Sequence, residues 1–185
     1  MNETFFLVAN ALSLLLPILL SGIFFIFCIK KRWFEFLNHP IDAGLSLGGV
    51  RLFGPNKNWR APVFYVVFGT GITYFLHHLA PEQPWIARVF LSDPLVLGLL
   101  STIAYSGAEL VNSFIKRRLH KPAGSPGGKL QTFFDNVDGA FASGIVLFCF
   151  GVPLGLLLVS FLFSFAVHAG TDLLMQSLKL KEANK

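Results

Sequence analysis

The chain has 185 residues, of which 54% are hydrophobic and only 14% charged, with a mean hydropathy of +0.62. Soluble globular domains carry about 25% charged residues, so the composition excludes a disordered chain or an ordinary soluble domain and points to a small integral membrane protein. The formal net charge is nevertheless +5, from 15 Lys and Arg against 10 Asp and Glu, and the placement of those basic residues is the question to answer.

A membrane helix needs about 20 mainly apolar residues. The first such run covers residues 5–29 without a charge, and Lys30, Lys31 and Arg32 follow at once. A cleaved leader has its basic residues before the apolar run, so this one is read as a retained span. Residues 62–80 and 95–115 form the second and third spans, the latter with Glu109 inside it. The last apolar block, 139–175, is too long for one crossing, and Gly151-Val152-Pro153 divides it, because proline cannot donate the helix hydrogen bond. The expected fold is all-α and polytopic, with about five transmembrane helices in one domain over residues 1–185; four spans is the alternative.

Lys and Arg gather on the cytoplasmic side of membrane proteins. With the N-terminus outside, loop 30–61 and loop 116–138 are both cytoplasmic, and with five spans Lys179, Lys181 and Lys185 join them. Only Arg88 then lies outside, and four spans would put the basic tail there too. Cys28 and Cys149 lie in different apolar runs without metal-ligand spacing and read as small packing residues. Gly151 and Gly155 have a small-xxx-small spacing that packs helices within or between chains, so a homo-oligomer is one expectation.

Both cytoplasmic loops carry more than a topology signal. The first reads His39-Pro40-Ile41-Asp42-Ala43-Gly44 and continues from Gly49 to Arg60, punctuated by glycine and proline as tight turns are. Lys57 and Arg60 flank Trp59, as phosphate-binding cations beside a stacking ring would, or as an interfacial anchor. After the third span, Glu109, Ser113 and Lys116 share a helix face, with Lys116 the expected partner of Glu109 and Arg117 beside it. Residues 122–128 form a Gly/Pro/Ser-rich turn. Asp135 and Asp138 then stand three apart just before the last apolar block. They suit either a Mg²⁺ site completed by substrate phosphates or a helix N-terminus stabilised by its dipole. His168 and Asp172, four apart in the last span, are a further intramembrane pair, functional or packing; His77 and His78 sit at an outer span end.

Together these segments resemble the CDP-archaeol synthase family, integral membrane lipid cytidylyltransferases distantly related to CDP-diacylglycerol synthases. Pro40-Ile41-Asp42-x-Gly44 and Arg51-x-x-Gly54-x-x-Lys57-Asn58-Trp59-Arg60 are similar to the family's P-I-D-x-G and R-x-x-G-x-x-K-T-W-R-G. Glu109-x-x-x-Ser113-Phe114-Ile115-Lys116-Arg117-Arg118 is similar to D-L-x-x-S-F-I-K-R-R, and Asp135-x-x-Asp138 to D-Q-x-D. His168-x-x-x-Asp172 with Leu178-Lys179-Leu180-Lys181 is near the family's tail. Asn58, Ala61, Glu109, Asn136 and Asp172 depart from the pattern.

The resemblance implies CTP and Mg²⁺ as co-substrate and cofactor, a phosphorylated lipid of the 2,3-di-O-geranylgeranylglyceryl phosphate or phosphatidic acid type as acceptor, and a CDP-lipid and pyrophosphate as products. The bilayer, not a nucleic acid, is the other expected partner. Asp135 and Asp138 are assigned to the metal, with Glu109 as a third acid. Lys116 and Arg117, with Ser113 between them and Glu109, are assigned to the reacting phosphates, and Lys57, Trp59 and Arg60, with Asp42 and Asn56, to nucleotide or lipid phosphate. A CDP-alcohol phosphotransferase is disfavoured because Asp138-Gly139 is followed by Ala140-Phe141-Ala142-Ser143, without that family's arginine. A non-catalytic scaffold or transporter subunit would explain the basic loops by orientation alone.

Overall fold

The computed structural model describes residues 2–122 and 129–177. Five long helices carry the fold: α1 (Glu3–Lys30), α2 (Arg60–Leu79), α3 (Pro94–Arg118), α4 (Lys129–Cys149) and α5 (Leu154–Ser177). Each packs on the next in chain order, and α5 returns to α1, closing the bundle into a ring. The Ser160 hydroxyl donates to the Ala11 carbonyl at 3.2 Å across that closure.

Local chemistry sets the helix ends. Asp93 caps α3, its Oδ1 accepting the amides of Leu95 and Val96 at 2.9 Å each, and Pro94 stands at the first position, where a missing N–H costs nothing. α3 runs on through Lys116–Arg118, whose charges complement the helix C-terminus. The break expected at Gly151 is present. Gly151 has φ +85°, its amide bonds Phe148 at 2.9 Å and that of Val152 bonds Leu147 at 3.1 Å, an arrangement that ends a helix with its last carbonyls paired. Gly151 therefore lies in a turn, so its spacing to Gly155 is not a helix-packing stripe.

The outer surface of the ring is apolar. Val67, Phe75, Ile103, Phe141 and Leu162 are all more than half exposed, far more greasy surface than a water-soluble monomer tolerates. α1 and α3 are each long and apolar enough to cross a membrane. Inside, hydroxyls bond back to the carbonyl four residues earlier: Ser21 to Pro17 at 2.6 Å, Thr102 to Gly98 at 2.7 Å and Thr73 to Gly69 at 2.9 Å. Such pairing suits a setting without water, where a buried polar group needs a partner within the protein. Small residues let the helices close up: a Cβ on Gly98 would lie 2.8 Å from the Thr70 Cα, and one on Gly139 would lie 2.5 Å from the Tyr105 ring.

The ring has two unlike ends. At one, the α2–α3 connection folds over the helix ends and buries Leu14, Leu76, Ile86, Phe90, Leu97 and Val152 in one cluster. The Ala87 amide donates to Ser13 Oγ at 3.0 Å, and His77 Nδ1 lies 2.8 Å from the Phe90 carbonyl. His77 thus has a structural partner. The other end carries the α1–α2 loop and the facing ends of α3 and α4, and nearly every candidate residue lies there.

Candidate active site

The α1–α2 loop is organised around one buried carboxylate. Asp42 accepts from Arg51 Nη2 at 2.5 Å and from the amides of Gly44, Phe53 and Gly54 at 3.1 Å each. Burial pushes its carboxyl up, but the guanidinium and the three amides outweigh that and hold it well below the usual carboxylate range. Asp42 is 3% exposed, so it braces the loop from beneath. Between the residues it gathers, β1 (Ser46–Leu47) and β2 (Val50–Arg51) form a two-residue hairpin. Gly48 and Gly49 turn it with φ of +60° and +75°, the paired positive values such a turn requires.

Arg118 fastens this hairpin to the end of α3. Its guanidinium donates to the carbonyls of Leu47, Val50 and Arg51 at 2.6, 2.7 and 2.9 Å. Between hairpin and helix lies a cavity of about 360 Å³ lined by Arg51, Arg117, His120 and Lys121 and by the backbone of Gly49 and Gly54. Arg117 is buried and spends one Nη on the Pro122 carbonyl at 3.1 Å. The Nε of Arg117 and that of Arg51 are buried without a hydrogen-bond partner. A cavity walled by guanidinium donors, an imidazole and an ammonium, with glycine backbone at its rim, suits an anion with several acceptor oxygens.

The acids lie on α4, whose Gln131, one turn before Asp135, accepts from Lys121 of the cavity. α4 begins at Lys129, ten residues before the apolar block read from the sequence, so Asp135 and Asp138 lie within a helix and do not precede one. Their three-residue spacing therefore places both on one helix face, against α3. Asn112 of α3 donates through Nδ2 to Asp135 Oδ1 at 2.9 Å and to Asp138 Oδ2 at 2.6 Å, so the two carboxylates converge on one nitrogen. Lys116 Nζ lies 2.5 Å from Asp135 Oδ1. Glu109 pairs with Lys57 across the α1–α2 loop at 3.1 Å.

Several expected groupings take a different form. Lys116 bonds Asp135 and not Glu109, because two helical turns separate the latter pair while α4 brings Asp135 alongside. Lys57 and Arg60 do not flank Trp59 as a clamp. Arg60 starts α2, turns inward to Glu35 at 2.8 Å and lies 5.9 Å from the Phe25 ring, leaving Trp59 exposed. Asn56 is exposed on the turn closed by the Lys57 amide and the Gly54 carbonyl at 3.2 Å. Ser113 is buried on the α3 face. The side chains of His168 and Asp172, residues 123–128 and the tail with Lys179, Lys181 and Lys185 lie outside the described residues.

Among the described residues no three His, Cys, Asp or Glu side chains gather closely enough to hold a metal alone. The donor set that does converge, two carboxylate oxygens about one point, fits a hard cation that takes its remaining ligands from phosphate. Sequence reasoning misses Asn112 and His120, and gives Arg118 no role beyond the end of the Ser113–Arg118 string. Asn112 is three residues beyond Glu109 and four before Lys116, on the same helix face, and that spacing is the signal that finds it.

The family model described as CarS-like: CDP-archaeol synthase matches residues 7–184. The chain is 28% identical to the CDP-archaeol synthase of Pyrobaculum arsenaticum over 155 residues, 83% of this chain and 84% of that one. It is 31% identical to that of Pyrococcus furiosus over 147 residues, 77% and 81% of the two chains. Among solved structures it is similar to one described as an intramembrane enzyme for archaeal membrane lipids biosynthesis, with a TM-score of 0.61 and 17% identity over 88% of this chain and 92% of the other. At that identity the likeness concerns the fold.

Proposed function

Since the chain belongs to the CarS-like, CDP-archaeol synthase family of CTP-dependent cytidylyltransferases, we propose that it transfers the cytidylyl group of CTP to a lipid phosphate at the polar end of its helix ring. The observation that carries this reading is that the Asp135–Asp138 pair and the cavity of Arg51, Arg117, His120 and Lys121 share one end of the ring, with Lys121 bonded to Gln131 one helical turn before Asp135.

The acceptor is a phosphomonoester oxygen of the lipid, already ionised at neutral pH, so no strong general base is needed. It forms a bond to the α-phosphorus of CTP as the bond from that phosphorus to the bridging oxygen breaks and pyrophosphate departs. What the protein must supply is alignment of two anions and neutralisation of charge. Arg117 and Arg51 donate to the triphosphate from the cavity wall, and Asp42 fixes the angle at which Arg51 does so. Lys116, beside Asp135, faces the reacting phosphates, and Lys57, held by Glu109, offers a second ammonium near them. Asp135 and Asp138 would hold Mg²⁺, which supplies charge neutralisation at the transferred phosphorus and the leaving pyrophosphate. Exposed Trp59 lies where the loop meets nucleotide or lipid headgroup. The apolar outer surface of the ring takes the lipid chains, ether-linked isoprenoid or ester-linked acyl.

In this reading all five helices cross the bilayer as one domain, the N-terminus is outside and the site faces the cytoplasm, where CTP is. Purified protein given labelled CTP, Mg²⁺ and a panel of lipid phosphates should release pyrophosphate only with an accepted lipid, in step with a labelled CDP-lipid. Absence of release with every ether and ester phosphate, from protein whose melting curve shows it folded, would overturn the assignment.

A further inference from the structure

We infer that Asn112 is a positioning residue for the divalent cation: its amide group keeps Asp135 and Asp138 together before the cation arrives, then turns to offer it an oxygen. The inference rests on the reading of those two aspartates as the metal carboxylates. Two carboxylates aimed at one point repel each other. Lys116 relieves Asp135 alone, and among the described residues Asp138 has no ion-pair partner. Asp138 takes its own Gly139 amide at 2.6 Å on one oxygen and Asn112 Nδ2 at 2.6 Å on the other. The NH₂ of Asn112 has two hydrogens and serves both acids, at 2.6 and 2.9 Å. It thus supplies partial positive charge at the spot where a cation would sit.

An amide is two-faced. The terminal torsion of asparagine has broad, roughly two-fold wells, so a half-turn puts Oδ1 where Nδ2 was without moving α3. A carbonyl oxygen there is the hard donor that Mg²⁺ accepts alongside carboxylates. The residue would then be a bridge in the metal-free protein and an oxygen ligand in the loaded one, so that the carboxylates need not move apart while the site is empty of charge.

The test uses the full chain in detergent, without lipid and with a non-hydrolysable CTP analogue to supply the phosphate oxygens, and Mn²⁺ as the probe, with Mn²⁺ bound beyond a protein-free control read by electron paramagnetic resonance and stability by melting temperature in EDTA. Asn112→Leu should weaken Mn²⁺ binding about tenfold, the scale on which partners of metal ligands act. Asn112→Asp, which keeps an oxygen but adds a repelling charge, should bind Mn²⁺ more tightly than wild type yet melt lower in EDTA, the loss being reversed by Mn²⁺. A merely structural asparagine would lower stability in both variants without moving Mn²⁺ affinity in opposite directions. If wild type binds Mn²⁺ and Asn112→Leu binds it equally well, the inference fails and the metal reading stands. If Asn112→Asp loses Mn²⁺ as Asn112→Leu does, the ligand-oxygen step fails. If wild type binds no Mn²⁺ at millimolar concentration, the metal reading fails and takes the inference with it.

Discussion

The two ends of the helix ring are held by opposite kinds of force. At the α2–α3 end, Phe90, Leu97 and Ile86 are buried almost completely among other apolar side chains. The charged residues of that connection, Glu82, Arg88 and Asp93, lie outside this cluster, which is wholly apolar. At the other end the loops are fastened by Asp42 to Arg51, Lys57 to Glu109, Lys116 to Asp135 and Arg118 to three carbonyls. Ion pairs are exchangeable: a phosphate can take an ammonium from a carboxylate, and a cation can take the carboxylate. One end is therefore a fixed clasp, and the other a set of charges whose present partners stand where the proposed function puts substrates and metal.

That contrast is broken most strongly at the clasp. Phe90→Ala should cost about 4 kcal/mol, the size seen when a buried aromatic is emptied from a core. The expected outcome is a large fall in melting temperature with turnover per folded molecule little changed, measured by thermal unfolding beside a pyrophosphate-release assay. An equal loss of turnover in folded protein would show that the two ends are coupled. Next in size is Asp138→Asn, which removes charge and no volume. Loss of a group that stabilises developing charge lowers turnover about 100-fold or more, and the variant should insert and melt like wild type. Unchanged turnover would remove Asp138 from the metal site.

Between these lies Asp42, which belongs to the polar end but acts as a clasp. Its carboxyl is held below the ordinary range, so its contribution is full above the unfolded carboxylate value of about 4 and is lost as pH falls from there toward its depressed folded value. Asp42→Asn should destabilise the protein by about 3 kcal/mol at neutral pH, since it strips a buried charge from Arg51 and three amides. It should also flatten the melting temperature between pH 5 and the acid limit, where wild type declines. A variant that declined as steeply as wild type would place the acid sensitivity elsewhere.

Hydropathy was enough to read the helices and the Gly151 break, because both depend on the local chain: long apolar runs, and one residue with a positive φ before a proline. It misplaced the start of α4 because Gln131, Thr132, Asp135 and Asn136 dilute the apolar signal in a segment that is helical through packing on α3. The candidate acids and cations were legible as residue types, and their pairing was not. Helical spacing relates residues on one helix, whereas Asp135 reaches Lys116 from the next helix and Lys57 reaches Glu109 from a loop 52 residues away in sequence. Arg118 reads as one of the basic residues of loop 116–138 and the end of the Ser113–Arg118 string, yet its three carbonyl bonds make it the pin of the hairpin, a role that no pattern along the chain encodes. Asn112 carries no charge, and only its helical spacing from Glu109 and Lys116 marks it.

Arg118→Leu sharpens the comparison, because it removes a fastening of the polar end without touching an acid or the apolar clasp. Three charge-assisted bonds are lost, but the carbonyls sit at a rim where water can replace the donor, so the stability cost should be about 2 kcal/mol. The hairpin that carries Gly49 and Arg51 should loosen, raising the apparent KM for CTP more than it lowers kcat, with faster amide exchange confined to β1 and β2. Faster exchange throughout would mean that Arg118 holds the bundle and not the loop.

The smallest effect expected is at the joint between α4 and α5. Gly151→Ala introduces a Cβ at φ +85°, where an L side chain is strained by about 1 kcal/mol. No atom lies within 4 Å of the position a Cβ would take, so strain is the whole cost and no clash is added. Val152 follows in the buried apolar cluster, which means the strain is felt at the clasp and not at the charges. The melting temperature should fall by a few degrees while KM, kcat and Mn²⁺ affinity stay at wild-type values. Should Gly151→Ala instead alter Mn²⁺ binding, the turn would be transmitting along α4 to Asp135 and Asp138, and the two ends could no longer be treated as independent.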